Sequence, residues 1–364
     1  MRSILAAALG AVLVATLLNS SPPVPAAAAP AGSPASRAAP QAATHLRFAS
    51  QPVATNVALY LASDRGYFQQ EGIDLEYVPF TDSSQMIPSL ATDQVELAGI
   101  SANPATWNAV ARGVTLKLVL DKGSFQPGHG NEALVVRKDL YDAGRGRQLE
   151  DFRNLSLALT PPGLATTTAC ALSRAFQQRG IAMDQLNIQP IPFPDMVPAF
   201  ANGALESADM AEPFLTRALQ QGTVVRVVGL DELYPYFTVS VVGFSSGLYT
   251  NRPVAKSFVR TYIRAIRDYN AAVARPPGDA DRAQVEEVIA RRTGLDPATV
   301  RDMVPPGLDP NGLPNQESQV YCYGFFRDQG LITQPVSEAA MAALWGTDLV
   351  DEVLSEIGRL PTGQ

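Results

Sequence analysis

Cysteine and histidine are scarce in this chain, two of each in 364 residues. A structural zinc centre takes about four such ligands, so His/Cys metal sites are excluded in practice. Charge is sparse as well: 17% of residues, with 28 Lys+Arg against 35 Asp+Glu, leaving −7. There is no basic run, so the electrostatic footprint of a nucleic-acid binder is missing. Long apolar runs are missing too. Only residues 4–18 approach one, and they fall short of the roughly 20 residues that span a bilayer. No Walker lysine loop and no H-E-x-x-H motif occurs. What is present is the apolar content of an ordinary globular protein, 46%, which rules out a mainly disordered chain. The length suits two domains of roughly 100–200 residues each.

The N-terminus is not fold. Arg2, the apolar residues 4–18 and then Ala26-Ala27-Ala28-Ala29 read as a secretory signal with a small-residue cleavage region. The alternative is an uncleaved anchor. No Cys lies near the cleavage region, so a lipid anchor there has no attachment point. Residues 22–43 are mostly Pro, Ala, Ser and Gly with a single Arg37, the composition of a tether. Export would put Cys170 and Cys322 in an oxidising compartment, where they can pair. They lie far apart in sequence, and Cys170 sits in an Ala-rich helical pattern, so two separately buried thiols are expected.

From His45 onward short apolar runs alternate with helical patterns. Strands are expected at 46–49, 75–78, 95–100 and 116–120, with helices at 56–70, 83–91 and 104–112 between them. That order implies a parallel sheet. The pattern restarts with strands at 133–137, 155–159, 186–189, 206–210 and 224–228 and helices at 165–178, 196–201 and 213–221. A strand at 238–244, a helix at 254–274 and a mostly helical remainder follow. An internal repeat runs through both halves. Val78-Pro79-Phe80-Thr81-Asp82 resembles Ile191-Pro192-Phe193-Pro194-Asp195. Met86 to Leu90 resembles Met196 to Phe200, and Val95 to Ile100 resembles Leu205 to Met210, both offset by 110 residues. The fold class is therefore α/β, with two similar lobes and a ligand cleft where the strands end.

Five strand-to-helix turns would face that cleft. They offer Gln51 and Asn56, Ser83 and Ser84, Ser101 and Asn103, Thr166 and Thr167, and Glu212. These are the expected ligand contacts: short neutral groups beside helix N-terminal N–H groups, plus one acid. Each Ser, Thr or Asn also fits ordinary helix capping. His45 at the domain start and His129 in a loop give no catalytic constellation. Tyr60, Trp107, Phe125 and Tyr236 can stack on a ligand but fit better as core. No catalytic residue, metal or cofactor is expected.

Leu61-Ala62-Ser63-Asp64-Arg65-Gly66-Tyr67-Phe68-Gln69-Gln70-Glu71-Gly72-Ile73-Asp74-Leu75-Glu76 resembles the A-x-x-x-G-[YF]-F-x-x-x-G-[IL]-x-[VL]-E signature of the SsuA/THI5-like family. These are solute-binding proteins of ABC importers for taurine, alkanesulfonates, nitrate and thiamine precursors. Further segments resemble the family in order: residues 90–98, Leu149-Glu150-Asp151-Phe152-Arg153-Asn154, Ala208-Asp209-Met210-Ala211-Glu212-Pro213-Phe214, and Gly330-Leu331-Ile332 with Pro335-Val336. Asp93-Gln94 stands where glycine is usual, and Glu96 where the acid is often Asp.

The resemblance implies a periplasmic-binding-protein-like fold: a signal over 1–28, a linker over 29–44, one lobe from 45–130 with 236–364, and a second from 131–235. Chain crossings near 131–135 and 231–239 would form the hinge. It implies capture of a small molecule by hinge closure, docking on ABC permease subunits, a monomer, and a place in the periplasm or on the outer face of the cell envelope. A sensory binding module, and a thiamine-pyrimidine-synthase-like enzyme on the same scaffold, are the alternatives. No Arg or Lys falls in the five turns, while Glu212, Asp82 and Asp209 favour an amine or ring N–H. A heterocycle of the thiamine-precursor or flavin type is therefore expected over a sulfonate.

Overall fold

A computed structural model describes residues 43–80 and 85–362; the expected signal, most of the linker, and Ser83 and Ser84 lie outside these. Among the described residues ten strands form two sheets. They are β1 (Thr44–Ser50), β2 (Ile73–Pro79), β3 (Leu97–Ile100), β4 (Leu116–Ser124), β5 (Glu132–Arg137), β6 (Ser156–Leu159), β7 (Asn187–Pro190), β8 (Ser207–Ala211), β9 (Val224–Gly229) and β10 (Thr238–Ser245). The first sheet has the order β2-β1-β3-β10-β4 and the second β7-β6-β8-β5-β9. Position by position the orders correspond, which accounts for the 110-residue repeat. The β2–helix–β3 unit of the first sheet returns as β7–helix–β8 in the second.

Neither sheet is wholly parallel, a correction to the expected β-α-β succession. β10 runs antiparallel to β3 and β4, and β5 antiparallel to β8 and β9. The reason is strand exchange. The chain leaves the first sheet after β4, and β5 enters the second; after β9 it returns, and β10 inserts between β3 and β4. The two links lie side by side. Phe125 N–H donates to Phe237 O and Tyr236 N–H to Phe125 O. Gly128 N–H donates to the Asp231 carboxylate at 3.0 Å. The first link is residues 125–131, so the crossing expected at 131–135 falls mostly inside β5.

The repeated acid has a structural role in each half. Glu96 accepts from the backbone N–H of Arg47 at 2.8 Å, and Glu206 from that of Ser156 at 2.8 Å. The first carboxylate thus pins the middle of β1, and the second the start of β6. Just ahead, Asp93 adopts φ 54 where the second half has Gly203 at φ 78. Aspartate tolerates this left-handed conformation, and its Oδ1 accepts from Gly247 N–H at 3.1 Å.

The helix expected over 56–70 is broken into Val57–Asp64 and Tyr67–Gln70 by Gly66 at φ 68. The long helix Arg252–Val273 places Phe258, Tyr262, Ile266 and Tyr269 on one buried stripe, the three-to-four-residue spacing of an amphipathic helix. This stripe packs with Phe48 and Phe244 in one core. A second core is shared by both lobes. It joins Trp107 and Leu118 of the first to Leu134, Leu157 and Phe176 of the second through Tyr323 and Phe326.

Cys170 and Cys322 form a disulfide, with Cα atoms 5.5 Å apart across a sequence separation of 152. The expectation of two separate thiols is corrected: the fold brings distant helices together. Cys170 lies on Thr167–Gln177 beside the second sheet. Cys322 lies on Gln316–Asp328, which also packs on the first-lobe helix Pro104–Ala111.

Candidate functional site

A cavity of about 470 Å³ lies between the two sheets. From the first lobe it is lined by the turn Gln51 to Thr55, by Gly99, Ser101, Lys122 and Gly123, and by Val239 and Ser240 of β10. From the second come Asn131, Glu132, Ala211, Glu212 and the side chains of Phe193, Phe214 and Arg217. Thr293, Leu295, Met303, Pro306 and Gly307 close one side.

Lys122 is the main feature of the first wall. Its side chain crosses β10 toward β3, where Gly99 makes room: a Cβ at Gly99 would lie 2.6 Å from Lys122 Cε. Lys122 is 3% exposed. Its Nζ donates to Thr55 Oγ1 at 3.0 Å, and among the described residues no carboxylate pairs with it. Burial pushes this ammonium down to about 8. The charge of Asp121, its neighbour in the strand, offsets only part of the burial, and a buried cation short of counter-charge is costly, so the wall is preset for an anionic group.

The second wall carries acids. Glu132 opens β5, and its Oε2 accepts from Thr168 Oγ1 at 2.9 Å. Asp209 is its diagonal neighbour on β8, since Glu132 pairs with Ala211 and Leu134 with Asp209. Burial pushes Glu132 up to about 7. Burial, then the charge of Glu132, holds Asp209 well above the usual carboxylate range. Glu212 is engaged differently. It accepts from Thr216 N–H at 3.0 Å, Thr216 Oγ1 at 2.9 Å and Val304 N–H at 3.2 Å. The last bond ties the 293–307 segment to the second lobe, and Gln220 Nε2 donating to Asp302 at 2.6 Å adds another tie. Phe193 and Phe214 stack at 6.1 Å between ring centres, and the Arg217 guanidinium lies 5.7 Å from the Phe214 ring.

Of the expected contacts, Gln51, Ser101 and Glu212 line this cavity. Asn56 is buried behind it, donating to Ser50 Oγ, Gln51 O and Tyr60 Oη. Asn103 caps the helix Pro104–Ala111 by accepting from Thr106 N–H, and Thr166 caps Thr167–Gln177 by accepting from Ala169 N–H. Thr167 donates to Val239 O at 3.3 Å. Tyr60, Trp107 and Phe125 are core. Sequence reasoning missed Lys122, Glu132, Phe193, Phe214 and Arg217. They sit in strands or helices rather than in the turns, and Lys122 follows Asp121 near the end of β4, past the strand expected at 116–120.

Gly243-Phe244-Ser245-Ser246-Gly247 fits the G-x-S-x-G spacing of a nucleophile elbow. Ser245 instead caps the helix Ser246–Thr250 by accepting from Leu248 N–H. The two histidines are engaged elsewhere, His45 with Asp74 and Glu76, His129 with Pro305 O.

Two α/β lobes that exchange strands and enclose a largely apolar cleft with charged side chains on both walls define a bilobal solute-binding protein. The chain matches the NMT1/THI5-like family model over residues 54–277, and it belongs to that family. No curated protein matches it in sequence. Solved structures show the same fold at low identity. The periplasmic aliphatic sulphonate binding protein SsuA from Escherichia coli is 17% identical with a TM-score of 0.66, covering 83% of this chain and 91% of that one. The alkanesulfonate-binding protein SsuA from Xanthomonas axonopodis pv. citri, bound to MOPS, is 20% identical with a TM-score of 0.61, covering 83% and 98%. The periplasmic nitrate-binding protein NrtA from Synechocystis PCC 6803 is 13% identical with a TM-score of 0.64, covering 87% and 89%. Among the described residues no helix is long and apolar enough to cross a membrane.

Proposed function

We propose that this chain captures a small organic solute bearing an anionic group and delivers it to the permease of an ABC importer, working outside the cytoplasmic membrane without chemical conversion of its cargo. The observation that carries the reading is Lys122, a buried ammonium on a cleft wall with a hydroxyl partner and no carboxylate in ion-pair contact among the described residues. An anion supplies the missing counter-charge, and closure of the second lobe over it favours the closed state. The Phe193–Phe214 stack, Leu295 and Met303 give the solute an apolar or aromatic body to bury. Sulfonate and nitrate relatives of the same fold agree with an anion. The heterocycle preference rested on the absence of cations from the turns and on Glu212, Asp82 and Asp209; Lys122 and Arg217 supply cations from a strand and a helix instead. A non-enzymatic role is supported by the engagement of both cysteines in a disulfide and of both histidines outside the cleft.

The test is a thermal-shift panel of alkanesulfonates, arylsulfonates, carboxylates, nitrate, thiamine precursors and riboflavin, on wild type and Lys122→Met. A ligand at 100 times its Kd adds about 2.7 kcal/mol to stability, a readily seen shift. Anions should raise Tm in wild type and not in K122M. Shifts with uncharged heterocycles alone would overturn the reading.

A further inference from the structure

Lys122 accounts for one wall of the cleft and leaves the other unexplained. Glu132 is 9% exposed and lines the cavity. Its Oε2 takes one hydrogen bond, from Thr168, and among the described residues no Lys, Arg or His pairs with it. Behind it, Asp209 is 1% exposed, and its Oδ1 has no hydrogen-bond partner. Two buried acids side by side on one sheet face destabilise the empty fold. Other charged groups nearby do not relieve them. Arg217 lines the same cavity from the second lobe, with its guanidinium beside the Phe214 ring, and among the described residues it forms no ion pair with either acid. On β9 and the turn after it, Arg226 is taken up by Asp231 and Glu232. Glu212, at the end of β8, has its oxygens filled by Thr216 and Val304. Lys122 faces from the opposite wall. No group of three metal-ligating side chains is found among the described residues, so a nitrogen cation suits this pair better than a metal ion.

We propose that Glu132, backed by Asp209, is a subsite for a cationic nitrogen, and that the cleft therefore takes a small zwitterion. Its anionic end meets Lys122 on the first lobe and its ammonium end meets Glu132 on the second. The inference rests on the anionic-solute reading of Lys122. In the empty cleft burial keeps a proton on the acid pair. An arriving ammonium replaces that proton, because a charge-assisted N–H to carboxylate bond favours the ionised acid. Binding of a zwitterion is then linked to proton release, and binding of a plain anion is not.

The test is titration calorimetry on the full chain at about pH 6, in two buffers of different ionisation enthalpy. The probes are two matched pairs: 3-aminopropane-1-sulfonate with propane-1-sulfonate, and 5-aminopentanoate with pentanoate. In each pair the amino member should bind at least ten-fold tighter, with buffer-dependent heat that reports a released proton. Glu132→Gln should bring the amino member down to the level of its plain partner and abolish the proton release. Asp209→Asn, which leaves Glu132 in place, should keep the preference and reduce the proton release. Circular dichroism checks that both variants fold. Equal or tighter binding of the plain anions, or a preference that survives E132Q, overturns the zwitterion inference alone. If neither pair binds, the anionic-solute reading fails with it.

Discussion

Replacing both Cys170 and Cys322 with alanine should lower stability by several kcal/mol. The bond closes a loop with a sequence separation of 152, and the loop-entropy relation puts its effect on the unfolded chain at about 5 kcal/mol, against a usual measured range of about 2–4. Both sulfurs are buried, so alanine also leaves two small cavities, which add to the loss. The site of the bond sharpens the expectation. Cys170 belongs to the second lobe, while the helix Gln316–Asp328 carrying Cys322 touches both. The pair therefore fastens the lobes together behind the cleft. Guanidinium unfolding followed by tryptophan fluorescence reads this directly, because Trp107 is buried with its ring centre 5.1 Å from that of Tyr323, the residue next to Cys322. The variant should unfold at lower denaturant, and the fluorescence and far-UV dichroism transitions should separate as the lobes uncouple. Wild type in strong reductant should follow the variant. The reasoning fails if thiol counting on denatured, unreduced protein finds two free thiols per chain. It fails equally if the midpoint of the variant stays within about 0.5 kcal/mol of wild type.

Four further outcomes are expected. Burial lowers the Lys122 ammonium from its ordinary 10.5 to about 8; across that window the unfolded chain holds a proton the folded chain has released, so stability of the empty protein should rise with pH, and Lys122→Met should flatten the rise in a Tm–pH series. Glu132 moves the other way, from 4.5 to about 7; the folded chain holds the proton that the unfolded chain has lost, so stability should fall as pH rises through that range, and less steeply in Glu132→Gln. Asp302→Ala removes the bond from Gln220 that ties the 293–307 segment to the second lobe; at about 1 kcal/mol per bond the off-rate of a bound anion should rise about five-fold by stopped flow, and an unchanged off-rate would dismiss the tie. Asn103→Ala should cost about 1 kcal/mol through loss of the cap on Pro104–Ala111 and leave ligand affinity alone, whereas a large fall in affinity would return Asn103 to the list of ligand contacts.

The succession of elements was legible because each carried its own period. The 78–100 and 191–210 segments announced two similar halves, and in the fold they are the same β–helix–β unit twice over. Strand exchange was not legible, since nothing local to residues 133–137 or 238–244 says which sheet receives them; that is decided by packing between segments more than a hundred residues apart. The disulfide escaped for the same reason. At the site, reading only the turns selected residues whose hydroxyls and amides cap helices. Asn103 and Thr166 show how a cap and a ligand contact look alike in sequence. Lys122 and Glu132 were passed over because they fall just beyond the strands expected at 116–120 and 133–137 and outside the five turns, where a charged residue carries no local mark of pointing into a cleft rather than out to water.

Those two residues also stand at either end of one link. Lys122 lies near the end of β4 and Glu132 at the start of β5, with residues 125–131 between them crossing from lobe to lobe. A hinge rotation about that link turns the two charged walls relative to one another. This bears on why a ligand would close the lobes at all. A solute that touches Lys122 alone binds the open and closed forms equally and shifts no population, however tightly it is held. A solute that also satisfies the carboxylate on the opposite wall gains that contact in the closed form only, and that difference adds to what the apolar contacts of the second lobe supply. Under the proposed zwitterion reading, the spacing of charges within the ligand sets the angle at which the lobes come to rest, so probes with longer or shorter spacers should lose affinity in steps as the two ends cease to reach both walls. A series of ω-aminosulfonates differing by one methylene, compared by Kd and by small-angle scattering of the complexes, reads both quantities. Affinity independent of spacer length would mean that closure is driven from one wall, and the link between Lys122 and Glu132 would then be a connection without a mechanical role.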